Sequence, residues 1–410
     1  MNSKELPARP SLEQYKKQAK DLLKSFNSSD REALELTIER IKKDHPRFGR
    51  LADLELRGTK LVLADAQLVI AREHGFESWP KFARYIAEMT QVNSTVSKFE
   101  TAVDAVVAGD VGKLEQALRE NPEIVRERST FLHHATLLNY VGANGVEDYR
   151  QKTPKNAVKV AEVLLRAGAD VHAVADIYGG SDTLGLAATS IFPLLAGVQN
   201  ALIDCLLEHG AKLDSEKLIN SCLANGRGAA TEHLAKRGAP MDLEGAAGVG
   251  RLELVKSFFN EDGTLKTNAT QKQRECGFGW ACEYGRTEVV EFLLGTGLKV
   301  DVMPYGITGL HWAAHTARVD IVKLLLKRNA PVELKDRRHQ GTPLGWAFHA
   351  WSESSSRAGN LYEVIALLLA AGANVEFALP SDSRSRSLLI EKMRVDARMT
   401  ETLKGAMPTK

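Results

Sequence analysis

The chain has 410 residues, with 54 Lys and Arg against 52 Asp and Glu and a formal net charge of +2. That length exceeds one ordinary hydrophobic core, so two domains or a repeat array is expected. The balanced charge supplies no strong field toward nucleic acid or an anionic membrane, and no apolar run approaches the length of a bilayer span.

Residues 1–95 read as four amphipathic helices. Their start MNSKELPARPSLEQYKK lacks the apolar core of a signal peptide. Ser11 and Gln14 form a capping-box pattern before Leu12, Tyr15, Ala19, Leu22, Leu23 and Phe26 at helical spacing. Ser29 and Glu32 open a second helix that ends before Pro46. A third runs through 61–73 and is closed by Gly75, and Ser78 with Pro80 starts a fourth carrying Phe82, Tyr85, Ile86 and Met89. The basic stretch 42–50 is expected to be a solvated helix end, and 91–98 a polar linker. The excess of 17 basic over 14 acidic residues in 1–95 is weak support for nucleic-acid binding there.

From about residue 97 the chain copies one pattern. In its clearest instance Thr308 caps a short helix with Leu310, Ala313 and Ala314 on one small-sided face. Asp320 opens a second helix with Ile321, Val322 and Leu325 in an apolar stripe. Asn329 and Pro331 then stop it. Trp280, Trp312 and Trp346 recur 32 and 34 residues apart. A helix pair this small cannot bury its own face and needs a similar unit on each side. The period, the openings Thr308-Gly-Leu-His-Trp-Ala313 and Gly341-Thr-Pro-Leu-Gly-Trp-Ala347, and the helix ends at 164–173 and 368–376 resemble the ankyrin repeat. Segment 63–82 resembles a helical module found in front of some bacterial ankyrin-repeat and glyoxalase-like proteins, whose role is unassigned. The reading is an all-α protein: an N-terminal helical domain over 1–95, about eight ankyrin repeats over 96–380, and a capping helix and tail over 381–410. Insertions fall at 139–156, 192–197 and 350–360, with a polar excursion at 261–275. In the ankyrin architecture the three insertions leave from the end of a first helix, so they are expected to build a rim beside the concave groove.

No P-loop, G-x-G-x-x-G, H-E-x-x-H or G-x-S-x-G occurs, and no cofactor is expected. His311 and His133 occupy the histidine position of the repeat opening, which the resemblance makes an internal hydrogen-bonding post. His315, His349 and Glu283 fall where repeats point into the groove, followed by Thr316 and Tyr284, and are expected to form a polar column for contact. Helix spacing of about 8–10 Å is too wide for them to share a metal. The three tryptophans are expected to pack between helices as a ladder. Trp351, on the last insertion, has no core position and reads either as a binding anchor or as a pin for its own loop. His134 and Tyr140 form a second polar-aromatic group near the first insertion. Cys205, Cys222, Cys276 and Cys282 lack a disulfide-framework spacing and suit reduced thiols in a cytoplasmic protein.

The ankyrin resemblance implies a non-enzymatic scaffold that binds a protein partner through its groove. Membrane and nucleic acid are not expected partners. The alternative is a small-molecule or catalytic pocket, with His315 or His349 as general base and Glu283 as its orienting group.

Overall fold

A computed structural model describes residues 3–7, 9–91, 93–353 and 358–404. Every helix or strand among them is helical, and the two isolated β-bridges, Ala175–Ser181 and Phe259–Leu265, pair single residues. The protein is all-α. It divides into two compact units, Met1–Lys212 and Leu213–Lys410.

The first unit opens with α1 (Leu12–Phe26), α2 (Arg31–Asp44), α3 (Asp53–Arg57), α4 (Leu63–Glu73) and α5 (Trp79–Met89). The expected cap at Ser29 lies one residue on. Asp30 accepts the N–H groups of Glu32 and Ala33 at 3.0 and 3.3 Å, because its carboxylate reaches two orphan donors. Ser11 stands at its cap position but forms no side-chain cap bond. The core is Tyr15, Leu22, Phe76, Phe82 and Tyr85, all buried. It continues into the repeats: Phe131 packs on Phe76 and Tyr85 at centroid distances of 4.6 and 5.5 Å, and Leu132 N–H donates to Gly75 O. Half of the expected linker is helix, since Ser94 caps α6 (Thr95–Ala108).

Helix pairs follow. In the first unit α6 pairs with α7 (Val111–Glu120), α8 (Leu137–Val141) with α9 (Ala157–Arg166), and α10 (Thr183–Thr189), after the short α11 (Ile191–Leu195), with α12 (Gln199–Glu208). The second unit holds α13 (Glu216–Ala224) with α14 (Gly228–Lys236), α15 (Leu243–Val249) with α16 (Leu252–Ser257), and α17 (Gln271–Tyr284) with α18 (Thr287–Gly295). It continues with α19 (Gly309–His315) and α20 (Val319–Lys327), then α21 (Pro343–Glu353) and α22 (Ala358–Ala370). α23 (Val375–Ala378), α24 (Ser383–Val395) and α25 (Ala397–Thr402) close it. First helices pack on first helices: α15 on α17, α17 on α19, α19 on α21. This shared layer is what each pair lacks alone. α17 starts two turns earlier than the pattern suggests, with Thr270 and Gln273 as a reciprocal capping box, so the expected polar excursion ends inside a helix.

Each pair whose turn lies among the described residues turns through a left-handed residue. Gly285 takes φ 78° between α17 and α18. One pair on, Ala317 takes φ 59° with a Cβ, a conformation that L side chains disfavour. The pairs are locked by side chains from their neighbours. His311 Nε2 lies 3.0 Å from Gly341 O and its Nδ1 2.7 Å from Thr308 Oγ1. A carbonyl can only accept, so Nε2 carries the proton and Nδ1 accepts from the hydroxyl. Burial lowers the His311 pKa and favours that neutral form.

Candidate functional site

The second unit brings the predicted histidines together. His315, near the end of α19, and His349, on α21, stack with ring centroids 6.1 Å apart, closer than the helix spacing suggests. His315 also meets the edge of Trp346 at 5.6 Å. Trp280, Trp312 and Trp346 form the expected ladder, at 6.0 and 5.4 Å. Trp280 is buried, whereas Trp312 and Trp346 are half-exposed, so the ladder passes from core to surface.

Two of the indole N–H groups have carboxylate acceptors. Trp280 donates to Glu244 at 2.8 Å and Trp346 to Asp336 at 3.1 Å. Tyr305, 59% exposed in a left-handed turn after Pro304, lies over Trp280 and donates to the same Glu244 oxygen at 3.3 Å. Burial raises the Glu244 pKa even though both donors oppose the rise.

Around His315, Trp346 and His349 lies a cavity of about 590 Å³ that also takes in Lys335, His339 and Phe377. The loop 336–341 that walls it is tied down by one side chain. Buried Asp336 accepts from Arg338, His339 and Gly341 N–H at 2.9, 2.7 and 2.8 Å, besides Trp346. Burial alone would raise this carboxyl, but its donors hold it below the usual carboxylate range. The opposite wall depends on a missing side chain: a Cβ on Gly345 would stand 2.9 Å from the Ala378 carbonyl.

The other sequence candidates stand elsewhere. Tyr284 and Thr316 clamp repeats: the Tyr284 hydroxyl donates to Leu223 O at 2.8 Å, and Thr316 Oγ1 lies 3.0 Å from Glu283 O. Glu283 is half-buried on α17 and does not line the cavity. Trp351 is interior at 6% exposure, because α21 runs on through Glu353 and carries it into the core beside Tyr362. It is therefore no exposed anchor. Residues 354–357 of that insertion lie outside the described residues. In the first unit the insertion 139–156 folds inward through Arg150 instead of forming a rim, and 151–156 stay partly or fully exposed. It buries Tyr140 and places Glu147 and Arg150 against His133 and Glu100. His134 remains half-exposed, with Nδ1 2.8 Å from Asp176.

The residues missed from the sequence are Lys335, Asp336, His339, Phe377, Glu244 and Tyr305. Three of them sit in the run Lys335–Asp336–Arg337–Arg338–His339 ahead of a Gly-Thr-Pro opening, and that cationic loop was the available signal. Glu244 and Phe377 carried none, since their neighbours come from other repeats.

Comparison with protein families matches residues 243–336 and 278–378 to ankyrin repeats, in three copies. The chain carries ankyrin repeats. The helix pairs α15/α16 to α21/α22 and the ladder fall within the matched residues, as does the cavity apart from Leu379, Pro380 and Ser381. A curated relative, SMC5-SMC6 complex localization factor protein 1 of Bos taurus, is 36% identical over 100 residues, covering 23% of this chain and 9% of that protein. This chain therefore spans only a small part of that relative's length. Among the described residues no helix is long and apolar enough to cross a membrane.

Proposed function

We propose that the protein is a binding scaffold whose ankyrin repeats receive a protein partner on the face of the second unit that bears Trp312, Trp346, His315 and His349. One observation carries this reading: the tryptophan ladder comes to the surface beside a cavity of about 590 Å³. The Trp346 N–H is already bonded, so it offers mainly apolar ring surface, and neighbouring imidazoles supply polar contacts at the rim. Aromatic groups in a concave, partly desolvated setting are the usual anchors of protein recognition. Ankyrin repeats are protein-interaction scaffolds, and a relative named for localising a complex is compatible with that role.

The test is site-specific photo-crosslinking in the intact protein in cells. A crosslinker at His349 should capture a partner that one at Glu288, exposed on a second helix, does not. Equal capture from both positions, or capture only from Glu288, would refute the assignment of this face.

The cavity volume also suits a small molecule. A catalytic version of that reading lacks support from Glu283, which does not line the cavity. A co-purifying metabolite that protects against thermal unfolding only when His315 and His349 are intact would favour it.

A further inference from the structure

The cavity beside α19 and α21 has only basic side chains among the titratable groups on its described walls. It is lined by Lys335 and three imidazoles, those of His315, His339 and His349, and among its described lining residues none is acidic. The carboxylates close by in sequence do not line the cavity, and each accepts at least one hydrogen bond. Asp336 holds four N–H donors, Glu376 pairs with Arg386 at 2.5 Å, and Glu333 accepts the Asn374 N–H at 2.5 Å. The loop adds the exposed Arg337 and Arg338 beside Lys335. In contrast, the apolar part of the wall is large: the Trp346 ring and Phe377, which is 56% exposed.

An apolar hollow alone selects weakly among partners, whereas charge complementarity at its rim rejects like-charged segments and speeds encounter with opposite ones. We propose that this cavity takes an acidic segment of the partner protein. An aromatic or aliphatic side chain of that segment packs on Trp346 and Phe377, and flanking Asp or Glu carboxylates meet Lys335 and His339. This inference rests on the scaffold reading above and deepens it by naming the chemistry of the partner. Because Asp336 ties the loop through three backbone N–H groups, Lys335 and His339 are presented from a braced turn, so little ordering entropy is lost on binding.

The experiment is selection of random dodecapeptides, displayed on phage, against the full chain, followed by fluorescence anisotropy of the enriched peptides. A consensus of one aromatic or aliphatic residue flanked by Asp or Glu is expected. Its affinity should fall at least about tenfold with the double substitution Lys335→Glu and His339→Glu, and also in high salt. Both side chains are exposed, so the fold should survive, and the neutral pair Lys335→Gln and His339→Gln should give a smaller loss. A neutral or basic consensus, or an acidic one indifferent to the charge reversal, would overturn the inference. If such peptides still crosslink at His349, the scaffold reading stands without it. No enriched peptide at all counts against both.

Discussion

The substitution Asp336→Asn tests whether one carboxylate organises the cavity loop. The aspartate is fully buried, and its two oxygens divide four donors: Arg338 and His339 N–H on one, Gly341 N–H and the Trp346 indole on the other. An asparagine keeps one acceptor oxygen and turns an NH₂ toward the other two donors, leaving both without a partner. Each buried donor left unsatisfied costs about 1–3 kcal/mol, and part of that is recovered by water because the loop is exposed, so a net loss of about 2–4 kcal/mol is expected. In a repeat array the loss should stay local to the helix pairs around α19 and α21. Urea unfolding followed by tryptophan emission and by circular dichroism would measure it, the emission change leading the ellipticity change. The folded-state pKa of Asp336 is depressed. Its stabilisation is therefore present above the ordinary carboxylate value near pH 4 and is lost as pH falls through the folded value. Wild type should accordingly lose more stability in acid than the variant. A variant within about 0.5 kcal/mol of wild type, with unchanged emission, would refute the reasoning.

Three further outcomes are expected. Trp351→Ala should destabilise the second unit by about 3–5 kcal/mol in urea unfolding, as for a buried aromatic; an exposed anchor would leave the midpoint unmoved. Gly345→Ala should cost about 1–3 kcal/mol, since its Cβ would press on a backbone carbonyl; a neutral result would show that α23 yields freely. Burial pushes the Glu100 carboxyl up to about 7 against the opposing pull of Arg150, and the Glu147 charge adds to the rise. The folded state then holds the proton more tightly, so the contribution of Glu100 is fully present below the ordinary value near 4.3 and declines as pH rises through 7. Glu100→Gln should flatten the fall in stability between pH 5 and 7.5 by up to about 3 kcal/mol, and coincident slopes would argue against it.

Much of the molecule was legible as sequence because repetition states the same local rule many times. The small-sided first helix, the apolar stripe of the second and the turn between them recur at a near-fixed period, and each copy needs its neighbours to bury its face. The tryptophan ladder followed from the same register, since residues 32 and 34 apart must stack when first helices pack side by side. His311 followed too, because its motif position lies against the next repeat's turn.

Only the tertiary structure decided what the irregular residues do. The ankyrin architecture places the first insertion at a rim, but Arg150 meets the carboxylates of Glu100 and Asp104 on α6 and Glu147 lies against His133, pairings that no local pattern announces, and so the segment turns inward. Trp351 looks unplaced because the repeat template ends its helix early, whereas packing in the core makes about one more turn worth ordering. The cavity joins Lys335 from the loop before α21, Trp346 from α21 and Phe377 from α23. Periodicity identifies which face a side chain belongs to; it does not specify which charges will meet across the chain, since that depends on distances set by packing.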